Sequence, residues 1–268
     1  MKKLEHLSLI LKDMESVVLA YSGGVDSTFL LKAAQLSEIR TIAVTAVSYL
    51  FARKNILEAQ ETAKRLGIEH RAIETDELSL DGFAENTPER CLLCKDSLFK
   101  TLKNIANAEG YRFVMDGSNR DDDSDYRPGR HAAARHGVRS PLAEAGFSKC
   151  EIRNCSRQLG LSTWDSPSSP CLVTRFPYGQ KITREALRRV EQAEDFLRSL
   201  GFRQLRVRDH DGVARIEVGE EEMDLLLNAD KRKRISENLK SLGYLFISLD
   251  LEGFRSGNLN RILFRKKE

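Results

Sequence analysis

Ala20-Tyr21-Ser22-Gly23-Gly24-Val25-Asp26-Ser27 follows directly on the apolar run Ser16-Val17-Val18-Leu19 and opens a helical stretch from about Asp26 to Gln35. A short apolar run that stops at paired glycines reads as a buried parallel strand. The glycines let the chain turn tightly and bring backbone N–H groups up to an anion. The helix behind them turns the positive end of its dipole to the same place. Ser22 and Ser27 add hydroxyl donors. Neither GxxxxGK[ST] nor GxGxxG is present, and no lysine sits in the loop, so neither the Walker loop nor the dinucleotide fingerprint describes it.

Outward from this loop, the first half of the chain alternates strand and helix. Thr41–Val47 is β-branched and reads as a second strand. Residues 53–66 read as a helix closed by Gly67, Glu69–Glu74 as a third strand, 92–109 as a helix stopped by Gly110, and Tyr111–Met115 as a fourth strand. This order predicts an α/β fold with a doubly wound, mainly parallel sheet over residues 1–165, whose ligands sit outside the carboxyl ends of the strands. Ser166-Pro167-Ser168-Ser169-Pro170 is turn-rich, so 166–182 reads as a linker carrying Cys171. Residues 183–268 read as a smaller α+β domain for substrate and oligomerisation. It has an amphipathic helix over 183–200, strands at Gln204–Arg208 and Val213–Val218 around the hairpin signal Asp211-Gly212, a helix over about 221–241 and a strand at Leu245–Leu249, so that helices lie beside an antiparallel sheet.

Composition narrows the classes. The chain has 268 residues, 43 Lys+Arg against 40 Asp+Glu, and a formal net charge of +3, too mild a balance for general nucleic-acid binding. Hydrophobic residues at 41% permit a sizeable core and exclude a mostly disordered chain. No apolar run approaches the roughly 18 residues of a membrane helix, and the opening Met1-Lys2-Lys3-Leu4-Glu5-His6 lacks the apolar segment of a signal peptide. A cytoplasmic protein is expected, with no membrane partner. Five cysteines there read as thiols, ligands or catalysts rather than disulfides.

The loop resembles the signature of the PP-loop ATP pyrophosphatases. That resemblance implies cleavage of ATP between the α and β phosphates, with Ala20, Ser22, Gly23, Gly24, Asp26 and Ser27 around the nucleotide and Asp26 close to Mg²⁺. Val44-Thr45-Ala46 ends the second strand, where the family's backbone meets adenine at the position of Ala46. Asp116-Gly117-Ser118-Asn119, followed by Arg120-Asp121-Asp122-Asp123, is similar to the family's second motif, which closes over the nucleotide and implicates Gly117 and Asn119.

Cys91-Leu92-Leu93-Cys94 opens a helix. A helix N-terminus lowers a thiol's pKa, and the thiolate is the reactive and ligating form. Redox dithiol, zinc and Fe–S readings compete with two semi-buried packing thiols. Zinc usually takes four ligands, and no second CxxC or HxxxH is present. Cys171, in the linker, reads as the natural third ligand if the pair binds metal, and three cysteines can hold a [4Fe–4S] cubane with one open iron, although four are usual. Cys150 and Cys155 lie five apart on a helix and read as packing residues.

A closer resemblance rests on Ser140-Pro141-Leu142-Ala143-Glu144-Ala145-Gly146-Phe147, Ser156-Arg157-Gln158-Leu159-Gly160-Leu161, Trp164-Asp165, and Cys171-Leu172-Val173-Thr174-Arg175-Phe176-Pro177-Tyr178-Gly179. These look like the LarE family, the ATP-dependent sulfur transferases of nickel-pincer nucleotide biosynthesis, over nearly the whole chain. The resemblance implies ATP, Mg²⁺ and a small-molecule nucleotide substrate, a pyridinium mononucleotide with two ring carboxylates. It implies adenylation of a carboxylate, attack by sulfur and departure of AMP. Sulfur comes in the family either from the cysteine matching Cys171, which becomes dehydroalanine, or from a [4Fe–4S] cluster. Cys91, Cys94 and Cys171 match the three-cysteine pattern, so the cluster is expected; its sulfur donor is unknown. A homo-oligomer is also expected. Relatives often carry prolines where this chain has Ser48-Tyr49-Leu50-Phe51-Ala52-Arg53, which leaves any role of Arg53 open.

Arg206 and Arg208 alternate on a strand and so share a face, an arrangement that suits a phosphate; the family match makes them, with Arg175, substrate-binding residues. Glu194 falls inside the apolar stripe of its helix, between Leu187 and Val190. A buried carboxylate must pair, bind a cation or line an active-site rim, and it is taken as catalytic with Cys171 and Asp26. Asp224 has a weaker claim in an acidic helix start. The competing functions are a PP-loop tRNA thiolase, disfavoured by the modest charge, and a non-catalytic adenine-nucleotide sensor.

Overall fold

The computed structural model describes residues 2–124, 129–255 and 257–264. It falls into two compact units, Met1–Phe83 with Pro88–Ser169, and Ala84–Thr87 with Pro170–Glu268. The segment 166–182, read above as a linker, is thus divided between them. Among the described residues, no helix is long and apolar enough to cross a membrane.

The first unit runs α1 (Lys2–Met14), β1 (Ser16–Ala20), α2 (Val25–Leu36), β2 (Arg40–Val47), α3 (Arg53–Arg65), β3 (Glu69–Glu74), α4 (Arg90–Glu109), β4 (Phe113–Met115), α5 (Gly129–Arg135), α6 (Pro141–Glu144) and α7 (Lys149–Gln158). Its four strands are parallel in the order β3-β2-β1-β4. Strand β1 is central because Val17, Val18 and Leu19 are all fully buried. They alternate between two cores. Val17 and Leu19 pack with Leu7 and Leu11 of α1, Phe29 and Leu30 of α2, Ala59 of α3 and Ile152 of α7. Val18 packs with Phe99 and Leu102 of α4 and Ala132 of α5. One strand serving two apolar layers is the physical content of double winding. Phe29 meets Phe147 edge to face at 5.4 Å, worth about 0.5–1.5 kcal/mol beyond its area burial.

The order reverses between β1 and β4, so the crevice at this topological switch lies at the carboxyl ends of those two strands. Gly23 makes the turn there. Its φ is +73°, and a Cβ would stand 2.7 Å from the Ala59 Cβ, which closes the position to any side chain. Gly24 differs, since φ −71° and ψ 166° suit any residue and its nearest neighbour is Ser22 Oγ at 3.4 Å.

The second unit runs α8 (Arg184–Ser199), β5 (Leu205–His210), β6 (Val213–Val218), α9 (Met223–Leu227), α10 (Ala229–Ser241), β7 (Phe246–Leu249) and α11 (Arg261–Phe264). Asp211 and Gly212 carry φ of +49° and +88°, the two positive values of a type I′ hairpin. Two expectations are corrected. The helix over 221–241 is two helices, because Asn228 takes an extended backbone and its side chain accepts the Lys231 N–H at 3.0 Å, capping α10 afresh. The sheet β5-β6-β7 is mixed rather than antiparallel, because α9 and α10 carry the chain back as a crossover and β7 runs parallel to β6.

The two glycines of the loop separate experimentally. Gly23→Ala is expected to cost about 2–4 kcal/mol, combining left-handed backbone strain with overpacking on α3. Gly24→Ala should stay within about 0.5–1 kcal/mol of wild type. Urea unfolding of both variants checks this, and similar costs would contradict the turn geometry.

Candidate active site

At the carboxyl edge of β1, no side chain caps the N terminus of α2. Its first-turn donors and dipole therefore face the crevice, the arrangement that binds anions. Ser22 Oγ lies 3.1 Å from Ser27 Oγ, the Gly24 N–H donates to Ser22 Oγ at 3.4 Å, and Ser27 Oγ donates to the Gly24 carbonyl at 3.2 Å. The two hydroxyls thus preorganise the loop. Ala20 and Ala46 are half-buried at the ends of β1 and β2. Behind them Thr45 Oγ1 donates to the Tyr21 carbonyl at 2.8 Å and lies 2.9 Å from His70 Nε2. Burial pushes the His70 imidazole below its usual value.

The loop after β4 packs onto the same helix start. A Cβ on Gly117 would stand 3.0 Å from the Ser27 nitrogen. Asp116 fixes that loop: Oδ1 accepts from the Ser118 N–H at 3.1 Å and Ser140 Oγ at 2.7 Å, and Oδ2 from Ser118 Oγ at 2.8 Å. Asn119 is buried, with its Oδ1 accepting the Asp121 N–H at 2.9 Å; it caps its own helical turn. The side chain of Asp123 lies outside the described residues.

Asp26 Oδ2 accepts from Lys149 Nζ at the start of α7, while Asp26 Oδ1 is buried with no hydrogen-bond partner. An orphaned carboxylate oxygen beside an anion site suits a divalent cation, so the residues fit Mg²⁺. Lys149 was missed from the sequence. Its local signal, the capping box of Ser148 and Glu151, marks a helix start but says nothing of a partner 123 residues away.

None of the five cysteines is in a disulfide. Cys91 is exposed and Cys94 half-buried, both in the first turns of α4 in the first unit. At i and i+3 they share a helix face. Cys171 is half-buried in the second unit, immediately before the 3₁₀ turn Leu172–Arg175. Within each unit, among the described residues, no three His, Cys, Asp or Glu side chains gather as metal ligands. Thiols of this kind would suit an Fe–S group, and the first unit carries two of the three cysteines expected as its ligands.

The second unit answers the question posed by Glu194. The carboxylate is fully buried and takes Arg175 bidentately, Nε at 2.8 Å and Nη2 at 3.0 Å. It also takes Arg198 Nη2 at 2.8 Å and the Val207 N–H at 3.1 Å. Burial alone would raise its pKa; the charge and hydrogen bonds of Arg175 outweigh that and hold it below the usual carboxylate value. Arg175 Nη1 donates to the carbonyls of Pro170 at 3.0 Å and Cys171 at 3.3 Å, and to Thr174 Oγ1 at 2.9 Å. With all three nitrogens on protein acceptors, Arg175 positions the cysteine turn rather than facing outward as a donor.

Arg208 grips Glu217 through Nε at 3.0 Å and Nη2 at 2.7 Å and donates to the Thr174 carbonyl at 2.6 Å. Arg206 donates to the Leu205 carbonyl at 2.7 Å and lies 4.9 Å from the Phe254 ring. Burial, and then the neighbouring Arg175 charge, push its guanidinium down to about 9, against the pull of Glu194. A guanidinium stays protonated in proteins, so Arg206 is a buried cation within the cluster of Arg175, Arg198, Arg208 and Glu194. Asp224 and Arg53 are exposed at the starts of α9 and α3.

No protein-family model matches the chain. It is 43% identical over 262 residues to an uncharacterized protein of Synechocystis sp., covering 97% of this chain and 98% of that one. It is 40% identical over 256 residues to the pyridinium-3,5-bisthiocarboxylic acid mononucleotide synthase of Lactiplantibacillus plantarum, covering 94% and 92%. An uncharacterized protein of Methanocaldococcus jannaschii is 32% identical over 260 residues, covering 96% and 98%.

Glu194→Gln keeps the shape and removes the charge that Arg175 and Arg198 require. It should cost about 3–5 kcal/mol in urea unfolding at pH 7. Because the folded pKa is depressed, the wild-type contribution is complete above the ordinary carboxylate value of 4.5 and fades as pH falls through the folded value. The gap between wild type and variant should therefore narrow on acidification, and a constant gap would contradict the ion pair.

Proposed function

The chain belongs to the LarE family, that of the Lactiplantibacillus plantarum synthase, and on that premise we propose that it is an ATP-dependent sulfurtransferase acting on a pyridinium biscarboxylic acid mononucleotide. The observation that carries the reading is the uncapped start of α2, with Gly23 turned against Ala59 and a buried unpartnered oxygen on Asp26. That is a site for a polyphosphate and its cation.

In the proposed reaction a substrate carboxylate oxygen attacks the α-phosphorus of ATP and pyrophosphate leaves. The N–H groups of Gly24 through Ser27 and the Ser22 and Ser27 hydroxyls hold the departing phosphates, where charge builds up. Gly117 and Asn119 shape the wall beside them, and Ala46 faces adenine. Asp26 would hold Mg²⁺, which neutralises phosphate charge. Sulfur then attacks the acyl carbon, AMP departs with the bonding pair, and a thiocarboxylate remains. Cys91, Cys94 and Cys171 would hold a [4Fe–4S] cluster, which supplies the sulfur. Arg206 holds the substrate phosphate; Arg208, expected beside it, has its three nitrogens on Glu217 and the Thr174 carbonyl and instead holds the turn that carries Cys171, as Glu194 does through Arg175. The enzyme is proposed to act in the cytoplasm as a homo-oligomer.

Anaerobic purification with iron and sulfide analysis, followed by turnover with ATP and the biscarboxylate, tests the sulfur source. Repeated turnover on added sulfide, an unchanged Cys171 mass and loss of iron in Cys91→Ala or Cys94→Ala are expected. One turnover per chain with dehydroalanine at 171 would move the sulfur source to Cys171 itself. In parallel, Arg206→Gln should weaken substrate binding by about 1–3 kcal/mol with ATP affinity unchanged. Equal losses in calorimetric titrations would assign Arg206 to the nucleotide instead.

A further inference from the structure

Arg206 is only 5% exposed, on β5 directly opposite Glu217 of β6, and the charges of Arg175, Arg208 and Arg198 all bear on it. The two acids of that region are heavily used. Glu194 accepts from Arg175, Arg198 and the Val207 N–H, and Glu217 from Arg208, Arg215 and Asn258. What the fold sets against the Arg206 guanidinium is an aromatic face: Cζ stands over the Phe254 ring, 4.9 Å from its centroid. Such a face attracts a cation, and more strongly where water is excluded. Phe254 reaches this place through a glycine. The turn after β7 stays on β6, with the Asp250 N–H donating to the Ile216 carbonyl at 2.9 Å and the Phe254 N–H to the Val218 carbonyl at 2.8 Å. Between them Gly253 takes a φ of +66°, and a Cβ there would stand 2.8 Å from the Val218 carbonyl oxygen. Only glycine lets the turn lie that close and deliver the ring over β5.

We propose that Phe254 is the positioning residue of the substrate-phosphate site, holding the plane of the Arg206 guanidinium. The N–H fork of an arginine lies in the plane of its guanidinium, so stacking one face on a ring fixes the direction in which the fork points. The bond from Arg206 Nη1 to the Leu205 carbonyl, at 2.7 Å, fixes rotation within that plane. A fork aimed before the phosphate arrives loses less freedom in gripping it. The inference rests on the assignment of Arg206 to the substrate phosphate above and goes beyond it in naming the residue that aims the arginine.

The test uses the full chain and calorimetric titration, without turnover, of the pyridinium biscarboxylic acid mononucleotide and, separately, of α,β-methylene ATP. Phe254→Leu keeps apolar bulk and removes the ring face, so the Kd for the mononucleotide should rise about three- to tenfold, with the ATP analogue unaffected. Phe254→Tyr keeps the face and should bind the mononucleotide within about twofold of wild type. In an Arg206→Gln background the leucine substitution should add less than about twofold, because the ring acts only through the guanidinium. A ring with a merely structural role would weaken binding by the same factor in both backgrounds. Such additivity, a tyrosine variant as weak as the leucine one, or a parallel loss for the ATP analogue overturns the proposal. Tighter binding by Phe254→Leu overturns it too, since the ring would then cover the arginine rather than aim it. Phe254→Met takes the place of the leucine variant should that one fail to fold. A wild type that does not bind the mononucleotide, or an Arg206→Gln variant that binds it as tightly as wild type, overturns the substrate reading of Arg206 itself, and this inference with it.

Discussion

Backbone lies against backbone at the carboxyl edge of the four-stranded sheet, and glycine is what permits it. Gly23 turns through a left-handed conformation onto Ala59, and Gly117 brings the neighbouring loop onto Ser27. With side chains at either place, α2 could not begin where it does. Its dipole and first-turn donors would then be aimed elsewhere or covered. The two apolar layers on either side of β1 hold this edge rigid, since Val17 and Leu19 belong to one layer and Val18 to the other. A site made of backbone dipoles works only when the backbone cannot relax away from the ligand.

The second unit solves a different problem, that of placing charge inside an apolar body. Glu194 lies at a position where its helix packs against β5, and an isolated carboxylate there would be prohibitively costly. Arg175 and Arg198 supply the counter-charge and the Val207 N–H satisfies a further lone pair. The consequence extends beyond stability. Arg175 spends its remaining nitrogen on the carbonyls of Pro170 and Cys171, so the buried carboxylate holds the turn from which Cys171 projects. Glu217 does the same for Arg208, whose third contact is the Thr174 carbonyl on that turn. Two acids on regular elements thereby fix one irregular segment.

Much of this was legible in the chain itself. The apolar run ending in Ser22-Gly23-Gly24, the β-branched second strand, the Gly67 and Gly110 stops and the Asp211-Gly212 hairpin are local signals, and each depends on the dihedral or burial preference of a few adjacent residues. The same locality explains the misreadings. The stretch 221–241 has helical character throughout, but only the extended backbone at Asn228 shows that it restarts there. The direction of β7 depended on where α10 delivered the chain, which no feature of residues 245–249 encodes.

The sequence by itself determined the class of fold, the glycine turn at the start of α2 and the fact that Glu194 needed partners, because periodicity, glycine placement and the cost of a buried charge all act within one element. Tertiary structure alone decided who the partners are. Asp26 meets Lys149 across 123 residues, Asp116 meets Ser140 across 24, and Glu194 meets Arg175 from another element. Charge pairing acts through space and carries no sequence spacing, so it becomes readable only once the hydrophobic layers have set which helix ends and strand edges meet.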